Sequence, residues 1–170
     1  MLVALRDILN EASSMIVVIK VAKALVVYYS MYGNTEKVAI ALAAGLRSGK
    51  VDATVASVDA AKLDELGAFD LLCIGSPVHA WNVSKPVREF LEHLKSVGGL
   101  GDKKAFAFDT KAKTRLAGDA AGKIEKKLKT LGFAIARPHE SAIVTGREGP
   151  LEEIAEERFK QIGAELATKL

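Results

Sequence analysis

The sequence has almost no cysteine. A single residue, Cys73, excludes both an intrachain disulfide and a multi-cysteine metal site. This usage fits a reducing compartment, where thiols stay reduced. Cys73 itself lies inside an apolar run, so we favour a position in the hydrophobic core over a role as catalytic nucleophile.

Long uninterrupted apolar segments are also lacking. The N-terminal stretch MLVALRDILNEASS carries an arginine and an aspartate where a secretory signal would have its apolar core. The next apolar run is interrupted by Lys20 and Lys23 and is shorter than the ~20 residues of a membrane span. We therefore expect no membrane span and a cytoplasmic location. Residues 1–22 are interpreted as an extension of unknown role, and residues 23–170 as one domain.

A strong excess of either charge is missing too. The 170 residues carry a formal net charge of +3, which does not by itself indicate a nucleic-acid partner. The charge is unevenly distributed, because Lys95 to Lys129 contains ten Lys or Arg against four Asp or Glu. From Glu140 to Leu170 the balance is four against seven. The plain interpretation of the basic segment is a solvated helix face, and we expect no nucleic-acid partner.

Apolar runs rich in β-formers alternate with helical patterns along the rest of the chain. Ala24–Tyr29 and Phe69–Ser76 are nearly continuously apolar, as strands covered on both faces are. Asn34 and Thr35 precede an apolar pattern of helical spacing and are candidate N-caps. Five strand–helix units of this kind predict an α/β domain, in which a parallel sheet has helices on both faces. Further strands are predicted over 52–59, 103–110 and 133–144, the last broken at Pro138, and a closing helix over 150–170.

An open parallel sheet binds its ligand outside the carboxyl ends of its strands, where the strand order reverses. The first loop at such an end is SMYGNT, from Ser30 to Thr35. The amides and dipole of the following helix favour an anion, and Gly33 lets the backbone come close to it. Because the loop has no Lys or Arg, neutral donors would hold a phosphate there. The loop lacks the glycines of a Walker or dinucleotide motif, and its spacing alone is compatible with an anion site or with a plain capped turn.

The second and third loops follow the strands that end near Ser76 and Asp109. In the second, SPVHAWNVS, the only tryptophan is Trp81, which can stack on a planar ligand or anchor the loop by packing. His79 is typical of a solvated loop histidine, and Asn82 of a turn residue. The third, DTKAKTR, is polar, basic and without an aromatic, so a surface loop is its plain interpretation.

Two segments together resemble the flavodoxin family. VVYYSMYGNTEKVA and LLCIGSPVHAWNVSKPVREFL have that family's order and spacing at the ends of the first and third strands. The resemblance covers about Lys23 to Leu170. It implies a flavodoxin-like three-layer sandwich, with a five-stranded parallel sheet in the order 2-1-3-4-5 and helices on both faces. It also implies one non-covalently bound FMN where the first and third strands diverge, the established position in flavodoxins.

The resemblance also implies which residues contact the flavin. Trp81 matches a position that stacks on the isoalloxazine ring in many members. Asn82 matches the residue whose peptide can turn its carbonyl toward N5–H of the reduced ring. The first loop matches the phosphate loop, and the third segment falls where backbone amides face the pyrimidine edge. The FMN-binding residues predicted in this way are Ser30, Met31, Tyr32, Gly33, Asn34, Thr35, Ser76, Pro77, Val78, His79, Ala80, Trp81, Asn82, Asp109, Thr110 and Lys111, and no catalytic residue or metal ligand is predicted.

The chain departs from the family in its third segment. Many flavodoxins place a second aromatic there, but none occurs between Asp109 and Arg115, which leaves one ring face open or covered by a partner or substrate. Flavodoxins also usually carry carboxylates around the flavin, whereas this segment is basic. A cation near the N1–C2=O edge stabilises the anionic, fully reduced ring. We therefore predict a flavin that leans toward two-electron reduction, with a less negative potential for the last reduction step than in a typical acidic flavodoxin.

Three functions are compatible with these residues. The leading one is an electron carrier that shuttles electrons through FMN between a reductase and an acceptor protein, or to a small planar acceptor. The second is an NAD(P)H-dependent quinone or flavin reductase, for which an open ring face would leave room. The third is a flavin-free binding module, which the retained SMYGNT and Trp81–Asn82 disfavour. A response regulator would need acidic residues where Ser30 and Ser76 stand, and is excluded.

Overall fold

The structure, a computed structural model, describes residues 19–170. Most of the N-terminal extension assigned to residues 1–22 therefore lies outside the described residues. The part of it that is described joins the domain, since the Ala22 carbonyl accepts from Asp52 N at 2.9 Å and Lys20 pairs with Asp70 at 3.1 Å. Within the described range, no helix combines the length and apolar character needed to cross a membrane.

The described residues form seven strands and four helices. Short 3₁₀ segments occupy Leu63–Ala68 and Leu94–Ser96. The strands are β1 Lys23–Tyr28, β2 Asp52–Ser57, β3 Leu71–His79, β4 Asn82–Val83, β5 Lys104–Ala112, β6 Ala134–Ile135 and β7 Glu140–Val144. The helices are α1 Asn34–Ser48, α2 Lys85–His93, α3 Ala120–Thr130 and α4 Ala155–Ala167.

The sheet has the order that the resemblance to flavodoxins implies. Its parallel strands run β2-β1-β3-β5, and both β6 and β7 pair in parallel with β5. β6 lies beside the start of β5 and β7 beside its end. When the short β4 is left out, β5 is the fourth parallel strand, and β6 and β7 together form the fifth strand of the 2-1-3-4-5 order. The predicted break at Pro138 separates them, because proline cannot donate to the ladder. β4 adds a short antiparallel pairing with β3.

Side chains that alternate along the strands form two cores, one on each face of the sheet. Ala24 and Val26 of β1 belong to the core that α1 and α4 cover, whereas Leu25 and Val27 belong to the core that α2 and α3 cover. This arrangement confirms a three-layer sandwich with helices on both faces. Cys73 is fully buried in the first core, where burial raises the pKa of its thiol, as the core interpretation predicts.

The closing helix begins later than its pattern predicts. Instead of turning directly into a helix at 150, the chain first pairs with β7 through a bridge between Val144 and Leu151. Thr145 N donates to Pro150 O at 2.9 Å and so closes the intervening loop. α4 then starts at Ala155, and Ile154, just before it, is 61% exposed.

A buried carboxylate ties α3 to the break between β6 and β7. Glu125 accepts from Lys129 Nζ at 2.6 Å, and from the backbone N of His139 at 2.8 Å. The Nδ1 of the same histidine lies 2.9 Å from Glu125 Oε2. Burial alone would raise the pKa of Glu125, but these partners together lower it to about 2.

Replacing Glu125 by glutamine is expected to lower the free energy of unfolding by about 1–3 kcal/mol at pH 7, because charge-assisted hydrogen bonds are lost. Since the folded pKa lies below the unfolded one, this stabilisation is complete above the ordinary pKa of a glutamate. It should shrink as the pH falls toward 2. Urea unfolding of the wild type and the variant between pH 3 and 7 measures the difference. The exposed Glu153→Gln is the control, and a difference that does not change with pH would contradict the assignment.

Candidate functional site

A cleft of about 330 Å³ lies at the carboxyl ends of β1, β3, β5 and β7. It occupies the point where the strand order reverses between β1 and β3, and its volume is within the range of small-ligand sites. All three segments singled out in the sequence contribute to its walls. The lining residues are Ser30, Met31, Tyr32, Asn34, Thr35, Pro77, Val78, His79, Ala80, Thr110, Lys111, Ala112, Val144, Gly146 and Arg147.

The N-terminus of α1 opens onto this cleft without a side-chain cap. The N-cap residue is Gly33, with φ 84°, and no side chain accepts from the first-turn amides. The expectation that Asn34 or Thr35 caps the helix is therefore wrong, because glycine alone adopts this left-handed conformation without strain. The nearby Glu36 does not cap either, since its carboxylate accepts from Tyr28 Oη at 2.6 Å, which together with burial raises the pKa of Tyr28 to about 12.

A buried hydroxyl without a partner lies in the same loop. Ser30 Oγ is shielded from solvent and has no hydrogen-bond partner among residues 19–170. An unsatisfied buried polar group costs free energy that a ligand oxygen would recover. Together with the uncapped amides of α1, this hydroxyl fits an anionic group such as a phosphate. The residues present therefore fit the phosphate end of FMN.

Two polar contacts hold the first loop against the rest of the cleft. Thr35 Oγ1 and Thr110 Oγ1 are buried 2.8 Å apart, which joins the start of α1 to the end of β5. Asn34 Nδ2 donates to Glu148 O at 2.9 Å, which fastens the loop after β7 beside the helix N-terminus. Asn34 and Thr35, two residues of the loop predicted to bind phosphate, thus use their side chains to position the site.

The second segment is a hairpin and not the polar loop that the sequence suggests. β3 continues to His79, and β4 pairs back on it through Val78–Val83 and His79–Asn82. Ala80 and Trp81 form the two-residue turn, both with positive φ, a conformation uncommon for residues other than glycine.

Ser76 supports this hairpin from below. Its buried hydroxyl accepts from Ser84 N at 3.0 Å and contacts Ser84 Oγ at the same distance. Its side chain therefore holds the base of the hairpin and does not line the cleft, although its neighbours Pro77 and Val78 do.

The hairpin tip is fixed from the opposite side by α3. Lys123 Nζ donates to Trp81 O at 3.0 Å and to Asn82 Oδ1 at 3.2 Å. A Cβ placed on Gly118 would lie 2.7 Å from the Cα of Trp81, so this glycine permits the close approach of the two segments. The indole itself is 68% exposed, at the outer end of the hairpin whose Ala80 lines the cleft.

Asp109 lies within β5 and is fully buried, because the strand extends to Ala112 and takes in most of what the sequence presents as a third loop. Its Oδ2 accepts from Ala120 N at 3.0 Å and Ala121 N at 2.9 Å, so the carboxylate caps α3. Burial raises the pKa of Asp109, against the opposing effect of the Ala121 amide. Its side chain thus has a structural partner, whereas Thr110 and Lys111 line the cleft.

One wall of the cleft consists of residues that were not predicted from the sequence. Val144, Gly146 and Arg147 belong to the segment after the last parallel strand, and the carboxyl-end rule applies to that segment as well. Lys111 and Arg147 give the cleft two cations that the first loop lacks. Of the predicted FMN-binding residues, those outside the lining are Gly33, Ser76, Trp81, Asn82 and Asp109.

Comparison with known proteins agrees with this geometry. The family model described as Flavodoxin matches residues 26–162. A protein of Syntrophobacter fumaroxidans named NAD(P)H dehydrogenase (quinone) is 28% identical over 152 residues, which cover 73% of this chain and 71% of the relative. A solved flavodoxin from the domain Archaea is similar with a TM-score of 0.75 at 27% identity, covering 86% of this chain and 97% of that one. Oxidised flavodoxin 1 from Bacillus cereus shares the fold with a TM-score of 0.75 at 23% identity, over 88% and 99% of the two chains.

Proposed function

The chain belongs to the flavodoxin family, and on that premise we propose that it binds one FMN non-covalently in the cleft and carries electrons between redox partners. The observation that carries the proposal is the buried, unpartnered hydroxyl of Ser30 beside the uncapped N-terminus of α1. Bound FMN supplies the redox chemistry, because a flavin accepts and donates electrons in one- or two-electron steps.

The chain's own residues would bind and orient the cofactor. The first-turn amides of α1 and the Ser30 hydroxyl would hold the phosphate, and Arg147, which also lines the cleft, would add a positive charge. The walls formed by Pro77–Ala80 and Thr110–Ala112 would enclose the ring. Trp81, Asn82 and the backbone of Asp109 are proposed ring contacts at its edges. Lys123 would keep the Trp81 carbonyl in a fixed orientation through its 3.0 Å hydrogen bond.

Titration of the apoprotein with FMN and with riboflavin tests the proposal. We expect one FMN per chain and binding at least ~100-fold weaker for riboflavin, which lacks the phosphate, a difference of about 2.7 kcal/mol. Equal affinity for the two flavins would show that the first loop is a plain turn and not a phosphate site.

A second candidate function is an NAD(P)H-dependent quinone or flavin reductase. Two observations favour it: the absence of an aromatic between Asp109 and Arg115, and a relative that is named NAD(P)H dehydrogenase (quinone). Steady-state oxidation of NADH and NADPH with a quinone acceptor separates the two functions. A carrier should turn over only slowly without a reductase partner, whereas a reductase should oxidise one of the nucleotides rapidly. A cytoplasmic location stays a prediction for both.

Replacing Lys111 by glutamine is expected to make the last reduction potential of the bound flavin more negative by about 40 mV. A partly screened charge interaction of about 1 kcal/mol with the reduced ring corresponds to this shift for one electron. Lys111 lines the cleft, whereas Arg115 is exposed and does not, so Arg115→Gln is the matched control with a much smaller shift. Redox titration of the reconstituted variants measures both. Unchanged potentials in both variants would refute a role for the basic segment in setting the potential.

A further inference from the structure

Two exposed apolar side chains belong to adjoining segments beside the cleft. Trp81 is 68% exposed and Leu116 is 77% exposed. The backbone at Gly118 packs directly on the backbone of Trp81, which brings the segment after β5 against the hairpin tip. Single exposed apolar residues are ordinary. These two, however, belong to adjoining segments of one surface, which we call the basic rim and define as Trp81, residues 113–118 and Lys123.

The same segments carry several cations. Residues 111–123 contain four Lys or Arg and a single carboxylate, that of Asp119. The charge of Lys113 is offset in part by the carboxylate of Glu152, whose Oε1 lies 3.7 Å from Lys113 Nζ. Within residues 19–170, neither Arg115 nor Lys123 forms an ion pair with a carboxylate. The surface beside the cleft therefore combines an exposed aromatic, an exposed leucine and uncompensated positive charge.

We propose that the basic rim is the docking surface for a redox protein with an acidic face. This inference rests on the proposed function, because docking beside the cleft places the partner close to the bound flavin. Aromatic residues and arginine are enriched in the cores of protein interfaces, and a surface of one charge sign selects and steers a partner of the opposite sign. A planar small acceptor would instead need the cleft itself, and Arg115 and Leu116 are not part of its lining.

Electron transfer to proteins of opposite charge tests the docking surface. The FMN-reconstituted protein is reduced with dithionite, freed of reductant and mixed with excess ferric cytochrome b5, which is acidic, or ferric cytochrome c, which is basic. Each ferric haem takes one electron, so one fully reduced flavin reduces two haems and releases its protons to solvent. We expect the rate with cytochrome b5 to fall at least ~10-fold between 20 and 500 mM salt, because screening removes the attraction. The rate with cytochrome c should not fall.

Charge reversal locates the effect. Arg115→Glu should slow the reaction with cytochrome b5 about 10-fold at low salt, whereas Lys160→Glu, the same charge change on the exposed face of α4, should change it less than 2-fold. Leu116→Ser should slow the reaction while leaving its salt dependence intact. FMN affinity should stay within 2-fold of the wild type in all three variants, since none of these residues lines the cleft.

A binding assay separates failure of the inference from failure of the proposed function. Calorimetric binding of ferric cytochrome b5 needs no electron transfer, and we expect it to weaken about 10-fold in Arg115→Glu and less than 2-fold in Lys160→Glu. Equal effects of Arg115→Glu and Lys160→Glu would overturn the docking surface even in a protein that carries FMN. Two further outcomes would also overturn it. One is self-association of this protein that Leu116→Ser abolishes. The other is that Arg115→Glu slows oxidation of the reduced flavin by menadione, a small quinone, but not by cytochrome b5. A chain that binds no flavin but still binds cytochrome b5 through Arg115 would instead refute only the proposed electron carrier.

Discussion

Ser30→Asp is expected to raise the dissociation constant for FMN at least ~100-fold, a loss of about 2.7 kcal/mol. The added carboxylate would occupy the position where the buried hydroxyl and the uncapped amides of α1 meet. Like charges about 4 Å apart repel by ~4 kcal/mol at the effective dielectric of a protein surface, and the phosphate of FMN is close to a dianion. Affinity for riboflavin should change less than ~5-fold, because riboflavin has no phosphate.

The apoprotein provides the control on folding. A carboxylate at a helix N-terminus is stabilising, so the melting temperature of apo Ser30→Asp should equal or exceed that of the wild type. Ser96→Asp, at the opposite edge of the sheet, should leave both flavin affinities unchanged. If Ser30→Asp weakens FMN and riboflavin equally without lowering stability, the phosphate does not lie at this loop.

Asp109→Ala is expected to lower the free energy of unfolding of the apoprotein by about 2–4 kcal/mol. The substitution leaves the buried amides of Ala120 and Ala121 without their acceptor, and each unsatisfied buried group costs about 1–3 kcal/mol. Relief from burying the carboxylate offsets part of this cost. Urea unfolding of the apoprotein measures the change.

Asp109→Asn is the matched control, because its carbonyl oxygen can still accept from both amides. Its free energy of unfolding should fall by less than half as much as that of Asp109→Ala. Burial raises the folded pKa of Asp109, so the stability that it contributes is complete below its unfolded pKa and declines as the pH rises through its folded one. The asparagine variant should lack this decline. An alanine variant as stable as the wild type but with weaker FMN binding would assign Asp109 to the flavin and not to the helix cap.

The fold follows from short-range patterns in the sequence. Runs such as Ala24–Tyr29 are apolar at every position because both faces of β1 are covered, and the alternation with helical patterns requires parallel crossovers. Pro138 marks the division of the fifth strand, because proline cannot donate a hydrogen bond to a neighbouring strand. Because an open parallel sheet binds its ligand at the carboxyl ends of its strands, the position of the cleft follows from the strand pattern alone.

The details of the site depend on contacts that the sequence does not encode locally. Asn34 Nδ2 donates to the carbonyl of Glu148, 114 residues away, and no pattern near either residue predicts this contact. Arg147 was missed for another reason, since its segment follows a parallel strand but contains no motif that marks a site. The hairpin was not predicted because its two turn residues are Ala80 and Trp81. Two-residue hairpin turns are usually recognised by sequences such as Asn-Gly. Asp109 falls at the end of a predicted strand and at the start of the polar third segment, and its two hydrogen bonds to α3 explain why this carboxylate is buried.

Stepwise reduction of the purified protein, after incubation with FMN and removal of free flavin, is the decisive experiment for a redox-active flavin in the cleft. We expect absorbance near ~450 nm that comigrates with the protein, disappears on addition of two electrons per chain and returns on oxidation. A protein that remains colourless after incubation with FMN would contradict it.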